Sequence, residues 1–242
     1  MCFLKPERTF SPIIKNTGEE GIDAKTDKRE PDAGGLMLAA GTVGRADGSS
    51  SLSLENGPMV VCSVHGPQRW AENERGNKEW VSADKCILEI SFELAQFSQG
   101  SHHRKNSADE KYERRCSWML RKAIEQCVRQ EEYPQSTIRL CVYVLQGGKS
   151  FRTLAAAINC AAVCLIDSGI ALNDIVTASS LGDGSVTGNA SGVMAWSNRQ
   201  EIQTLFYFAG GYFPDCLLEC LLECKKVHSV ICEFYKQKLC LE

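Results

Sequence analysis

Residues 146–159 read Gln-Gly-Gly-Lys-Ser-Phe-Arg-Thr-Leu-Ala-Ala-Ala-Ile-Asn. Two glycines, two cations and a threonine stand just ahead of an alanine-rich run. The free N–H groups and positive dipole end of a helix attract anions, and glycine lets the backbone approach a phosphate closely. Lys149 and Arg152 add cations to that end. The chemistry in view is phosphate binding, whether of a free anion or of a nucleic-acid backbone.

A second cluster, His102-His103-Arg104-Lys105, is the densest run of basic side chains. His103, Arg104 and Lys105 could touch phosphates of a threading strand; the plainer reading is a solvated loop before a capped helix. Cys216, Cys220, Cys224, His228 and Cys232 recur every four residues and form one stripe on a helix. A single helix rarely closes a tetrahedral zinc shell. The stripe is therefore expected to be a buried cysteine/leucine face, with Leu217, Leu218, Leu221 and Leu222, and no metal is expected. His65 has no partner in sequence. Trp70, Trp80, Trp118 and Trp196 are expected in the core or at a subunit interface.

The elements that must position these residues follow from periodicity. Residues 1–35 are polar, rich in Lys, Glu, Gly and Asp, and without period, which predicts a flexible N-terminal arm. One domain is expected over 36–242. Residues 46–67 read as two strands around a turn at Glu55–Pro58, the second stopping at Gly66–Pro67. Residues 86–94 alternate, with Cys86, Leu88, Ile90, Phe92 and Leu94 on one side, and predict a half-buried antiparallel strand. Ser107 and Glu110 make a capping box for a helix whose apolar stripe runs from Tyr112 through Cys116, Met119, Leu120, Ala123, Ile124 and Cys127 to Val128.

Residues 136–146 are β-branched and strand-like. Residues 153–168 form a deeply buried helix closed by Gly169. Strands follow at 174–180, 194–197 and 203–208, and a last helix spans 214 to about 239. The order β-β-β-α-β-α-β-β-β-α indicates an α+β chain of mixed sheets with packed helices.

Composition excludes some classes. The 242 residues are 43% hydrophobic and 24% charged, ordinary for a globular protein, and the net charge of −3 gives no global basic field. Any nucleic-acid contact must then be a local patch. No apolar run reaches bilayer length, so no membrane is expected as a partner. The N-terminus lacks the apolar region of a signal peptide. With thirteen cysteines and no C-x-x-C pair, the thiols read as reduced core residues of a cytosolic or nuclear protein.

Three stretches, DGSSSLSLENGPMVVCSVHGP, YPQSTIRLCVYVLQGG and LAAAINCAAVCLIDSGIALNDIVTA, occur in that order and spacing. Together they resemble the RNase PH family over roughly residues 28–242, with KREPDAGG where the family has an Arg-Pro-Asp-Gly-Arg opening. Within the family the likeness is greatest to the RNase PH-like subunits of the eukaryotic RNA exosome core. Among these it is greatest to the subunit type named from mRNA-transport mutants, on residues 97–128 and the Cys/Leu-rich ending 215–242. The resemblance implies an RNase PH fold of the ribosomal-protein-S5 type and a six-membered ring.

The family cleaves the 3′-terminal phosphodiester with inorganic phosphate. Catalytic members carry Gly-Gly-Thr-Arg-Thr at the buried helix, and the Thr-Arg-Thr triplet falls on Thr153, Leu154 and Ala155. The gripping arginine is thus replaced by Leu154, and two extra residues lie between Gln146 and Thr153. The family's catalytic carboxylates would fall in residues 181–206, where Asp183 is the one Asp and Ala, Ser and Asn stand at the expected places.

The resemblance therefore implies a non-catalytic structural ring subunit, with no catalytic residue, cofactor or metal, that helps thread RNA for 3′–5′ processing and degradation, ribosomal RNA included. Its implied partners are other RNase PH-like subunits, RNA-binding cap subunits, an associated exoribonuclease and the RNA. Its implied location is nucleus, nucleolus and cytoplasm. His103, Arg104, Lys105, Lys149 and Arg152 are the candidate RNA contacts. Two alternatives stay open: an active phosphate-dependent 3′–5′ exoribonuclease using Lys149 and Arg152, and a thiol-rich metal or redox protein.

Overall fold

The computed structural model describes residues 35–69, 84–98, 106–181, 191–209 and 214–240. A five-stranded sheet holds β1 (Leu36–Ala40), β2 (Gly48–Leu54), β3 (Met59–Arg69), β4 (Ile87–Leu94) and β5 (Ser136–Gln146) in the order β1-β2-β3-β5-β4. A three-stranded antiparallel sheet holds β6 (Val176–Leu181), β7 (Ser191–Ser197) and β8 (Ile202–Ala209) in chain order. The α+β architecture expected from the sequence is present.

Three helices pack on these sheets: α1 (Ser107–Glu125), α2 (Phe151–Asp167) and α3 (Pro214–Cys240). α2 lies between the sheets, with Thr153 to Leu165 buried without a break. Its small side chains let β2 and β3 approach on one side and β6 and β7 on the other. On the second sheet Val176, Ala178, Val193 and Ala195 face α2 in the main core, while Leu181 and Met194 face α3 with Cys220 and Cys224. Each fully buried leucine or isoleucine in this core contributes about 1.5–3 kcal/mol. Asn159 ties α2 to β6 within it. Its side-chain amide donates to the Ala178 carbonyl at 2.8 Å, and its carbonyl accepts from the Ala178 N–H at 2.7 Å.

The cysteines fill the same space as thiols. Cys160 approaches the carbonyls of Ser50 and Val60 at 3.6 Å, and Cys164 that of Gly48 at 3.3 Å. The cysteines from Cys62 to Cys164 and from Cys220 to Cys240 are free thiols. Burial pushes the Cys62 and Cys164 thiols well up, and raises Cys116 and Cys224 to about 11 and Cys127 to about 12.

Several expectations need correction. β4 alternates as predicted, but it pairs with β5 in parallel, not antiparallel. α1 sits between the two strands as a crossover, and such a connection returns the chain in the same direction. β3 does not stop at Gly66–Pro67. It continues to Arg69 through a register shift between His65 and Gln68, which accommodates the missing proline N–H. β1 is a further strand, at the sheet edge, that the sequence pattern did not reveal. The capping box of α1 lies one residue earlier, on Asn106 and Asp109.

Candidate phosphate and nucleic-acid site

The site begins where β5 runs into α2. Gly147 has φ +118°, and a Cβ there would come within 2.7 Å of Pro58 Cβ and 2.8 Å of Thr153 Oγ1, so only glycine fits. The chain then enters α2 through Ser150 as N-cap, whose hydroxyl accepts the Arg152 N–H at 3.0 Å. The Leu154 N–H goes to the Ser150 carbonyl at 3.2 Å, and the Thr153 hydroxyl donates to the Gly147 carbonyl at 3.0 Å. The Arg152 N–H and the Thr153 hydroxyl, both at this helix end, thus have partners inside the chain. Phe151 packs its ring against that of Tyr207, with centroids 5.5 Å apart.

Leu154, where the sequence reading expected the loss of a phosphate-gripping arginine, is 1% exposed and belongs to the core. The two cations proposed to compensate do not converge. Lys149 ion-pairs with Asp109 at the start of α1 and lies 5.9 Å from the Tyr112 ring centroid. Arg152 lines a separate cleft of about 470 Å³ with Leu54, Asn159, Glu219, Glu223 and Lys226. That cleft is walled by α2, α3 and strands β1, β2 and β6, and it carries charges of both signs.

The other sequence candidates divide sharply. His103, Arg104, Lys105 and Asp183 lie outside the described residues, as do Trp70 and Trp80. In the cysteine stripe Cys220 and Cys224 are buried, and Cys232 Sγ lies 3.6 Å from His228 Nε2. Leu218 and Leu222, expected to be buried, are 61% and 58% exposed. They sit on the side of α3 turned away from the second sheet. Among the described residues, no group of three or more His, Cys, Asp or Glu is placed to hold a metal ion.

Other residues also shape this region, and Asp174 is one the sequence did not single out. Asp174 is buried before β6 and accepts from the Ser197 hydroxyl and from the N–H groups of Arg199 at 2.7 Å and Gln200 at 3.0 Å. Burial opposes its charge, yet the Ser197 hydroxyl and these N–H groups hold it below the usual carboxylate range. It braces the β7–β8 turn. Arg115 hydrogen-bonds the Tyr207 hydroxyl and lies 4.6 Å from that ring's centroid, fixing α1 to β8. Trp118, expected in a core or interface, is 58% exposed on the outer face of α1.

Comparison with known proteins places this geometry. Residues 35–171 match the model described as RNase_PH, 3′ exoribonuclease family, domain 1. The chain is 31% identical over 185 residues to the exosome complex component Rrp41 of Pyrobaculum calidifontis, covering 75% of this chain and 69% of that one. It is 30% identical over 150 residues to the exosome complex component RRP41 homolog of Arabidopsis thaliana, covering 61% and 57%. The crystal structure of rice (Oryza sativa) Rrp46 superposes with a TM-score of 0.63 at 17% identity, covering 88% of this chain and 99% of that one. The Archaeoglobus fulgidus exosome with RNA bound to the active site superposes with a TM-score of 0.59 at 12% identity, covering 80% and 87%.

Proposed function

The chain belongs to the RNase PH, 3′ exoribonuclease family, and we propose that it is a non-catalytic structural subunit of an RNA exosome ring. In this reading residues 36–242 form one RNase PH-like domain that pairs with other RNase PH-like subunits in a six-membered ring. RNA-binding cap subunits and an associated exoribonuclease complete the assembly, and RNA passes through it for 3′–5′ processing and degradation. Work of this kind belongs to nucleus, nucleolus and cytoplasm. The finer likeness, to the subunit type named from mRNA-transport mutants, rests on the loop-plus-helix before residue 128 and the Cys/Leu-rich ending.

One observation carries the reading. Leu154 occupies the arginine position from inside the core, while Ser150 and Gly147 take up hydrogen-bonding groups that an anion would use. A neutral side chain with no path to solvent cannot grip phosphate bidentately. Lys149 is held by Asp109, and Arg152 opens onto a cleft that also holds Glu219 and Glu223.

The test is to assemble the ring from purified subunits and supply a 3′-tailed RNA with orthophosphate. The expected result is co-purification with sibling subunits and no nucleoside diphosphate released by this chain. Release abolished by Arg152→Ala would instead favour the phosphorolytic alternative, which Arg152 in the cleft keeps in view. A stable monomer with no affinity for any sibling would refute the ring role.

A further inference from the structure

The apolar stripe of α1 fixes which way the rest of the helix points. Cys116, Met119, Leu120, Ala123 and Ile124 are buried, so residues on the opposite side face solvent. Trp118 sits at the middle of that solvent side. On a helix surface the neighbours of a residue lie three and four positions away. For Trp118 these are Arg114, Arg115, Arg121 and Lys122. Every one is a cation, all four are exposed, and Lys111 continues the row one turn earlier.

Such a ring is not neutral by chance pairing. The carboxylates that temper it stand at its margins: Glu110 lies 3.9 Å from Arg114, and Glu125 lies 3.4 Å from Lys122. Surface pairs of this kind are weak and salt-screened. No ion pair holds Arg121 among the described residues. Glu113, the carboxylate that precedes Arg114, is turned inward and accepts the Leu94 N–H at 2.8 Å. In a chain of net charge −3, the face concentrates positive charge around one exposed indole.

We infer that the outer face of α1 is a stacking platform for single-stranded RNA, with Trp118 stacking a base and Arg114, Arg121 and Lys122 meeting the flanking phosphates. An aromatic face flanked by cations is how single strands are held without sequence reading. A duplex keeps its bases stacked internally and offers the indole nothing. A protein partner needs an apolar patch at the centre of its contact, and Trp118 is the one large exposed apolar side chain on α1. The row from Lys111 to Lys122 spans about 17 Å, room for a short run of nucleotides. The choice of RNA as the polyanion rests on the proposed role above; the geometry of the face does not depend on ring assembly.

The test uses the full-length chain and a fluorescein-labelled oligouridine. Binding should quench indole emission in the wild type and lose that quenching in Trp118→Ala, with affinity falling about tenfold. Trp118→Phe should retain most of the affinity. Arg121→Glu should weaken binding and lower the dependence on salt by at least about one phosphate contact. A duplex RNA should bind wild type and Trp118→Ala alike.

Unchanged oligouridine affinity in Trp118→Ala, or equal competition by polyglutamate, would overturn the proposal. So would loss of sibling-subunit binding in Trp118→Ala with RNA affinity intact, which would assign the face to a protein contact. Failure of the chain to join a ring, with the Trp118 effect preserved, would remove the ring role and leave this platform standing.

Discussion

α1 and α2 begin side by side and treat charge in opposite ways. Their N-termini are joined by the Lys149–Asp109 ion pair, with the Tyr112 hydroxyl 3.5 Å from the Ser150 carbonyl. From there α2 turns inward. Its entrance is capped by its own serine, and Leu154 fills the place where relatives are expected to carry a cation. α1 turns outward and sets Lys111, Arg114, Arg121 and Lys122 about an exposed tryptophan, while Arg115 is held by Tyr207. The difference teaches that a helix N-terminus with glycines and cations is not yet an anion site. The amides must be free, and the cation must be able to leave the core. α2 meets neither condition at Leu154, whereas α1 meets the second along its whole outer face.

The contrast can be broken most forcefully at residue 154. Leu154→Arg supplies the cation that the proposed reading finds missing but puts a charge inside the core. It should cost about 3–5 kcal/mol by urea titration, with no recovery on adding orthophosphate. A well-folded variant that phosphate stabilises would show that α2 is an open site after all. Asn159→Ala comes next. It strands the N–H and C=O of Ala178 inside the core and should cost about 2–3 kcal/mol, with amide exchange at Ala178 accelerated.

A third, smaller effect is alkaline sensitivity. The folded thiols of Cys116, Cys127 and Cys224 ionise at about 11, 12 and 11, above their ordinary value of 9.0. The unfolded chain therefore gives up protons first as pH rises. Their contribution is complete below about 8.5 and drains away from there toward 11–12. The urea midpoint under reducing conditions should be level near neutrality and fall between pH 9 and 11. The smallest effect is expected on α1. Trp118→Ala should change stability by no more than about 0.5 kcal/mol, because the indole faces water. A large loss there would mean that α1 is packed and not displayed.

Much of this was legible in the chain because period is local information. The stripe from Tyr112 to Val128 predicted the buried side of α1, and the same count puts Trp118 opposite it, so the spacing of residues alone carries that signal. The nearly all-round apolar run 153–168 announced a deeply buried helix. Other features depend on partners far along the chain. The direction of β4 is set by the crossover through α1, not by its own alternation. β1 lacks a strong pattern because, as an edge strand, its Leu-Met-Leu-Ala-Ala is only half-buried. Leu218 and Leu222 matched a buried stripe by composition, yet the side of α3 that meets β6 is set by the Thr177 and Ser179 hydroxyls bonding to the carbonyls of Cys224 and Cys220. The cleft at Arg152 draws on residues of β1, β2, α2, β6 and α3, from Leu36 to Val227, and no window of sequence contains it.

The burial of α2 on every side has a consequence for how the molecule can come apart. Each sheet uses the same helix as its inner wall, so neither owns a complete interior. A chain severed between residues 181 and 191 should yield a C-terminal piece that stays unstructured alone. Mixed with its counterpart, it should recover structure in a single concentration-dependent step, two claimants becoming ordered only around the one beam they share.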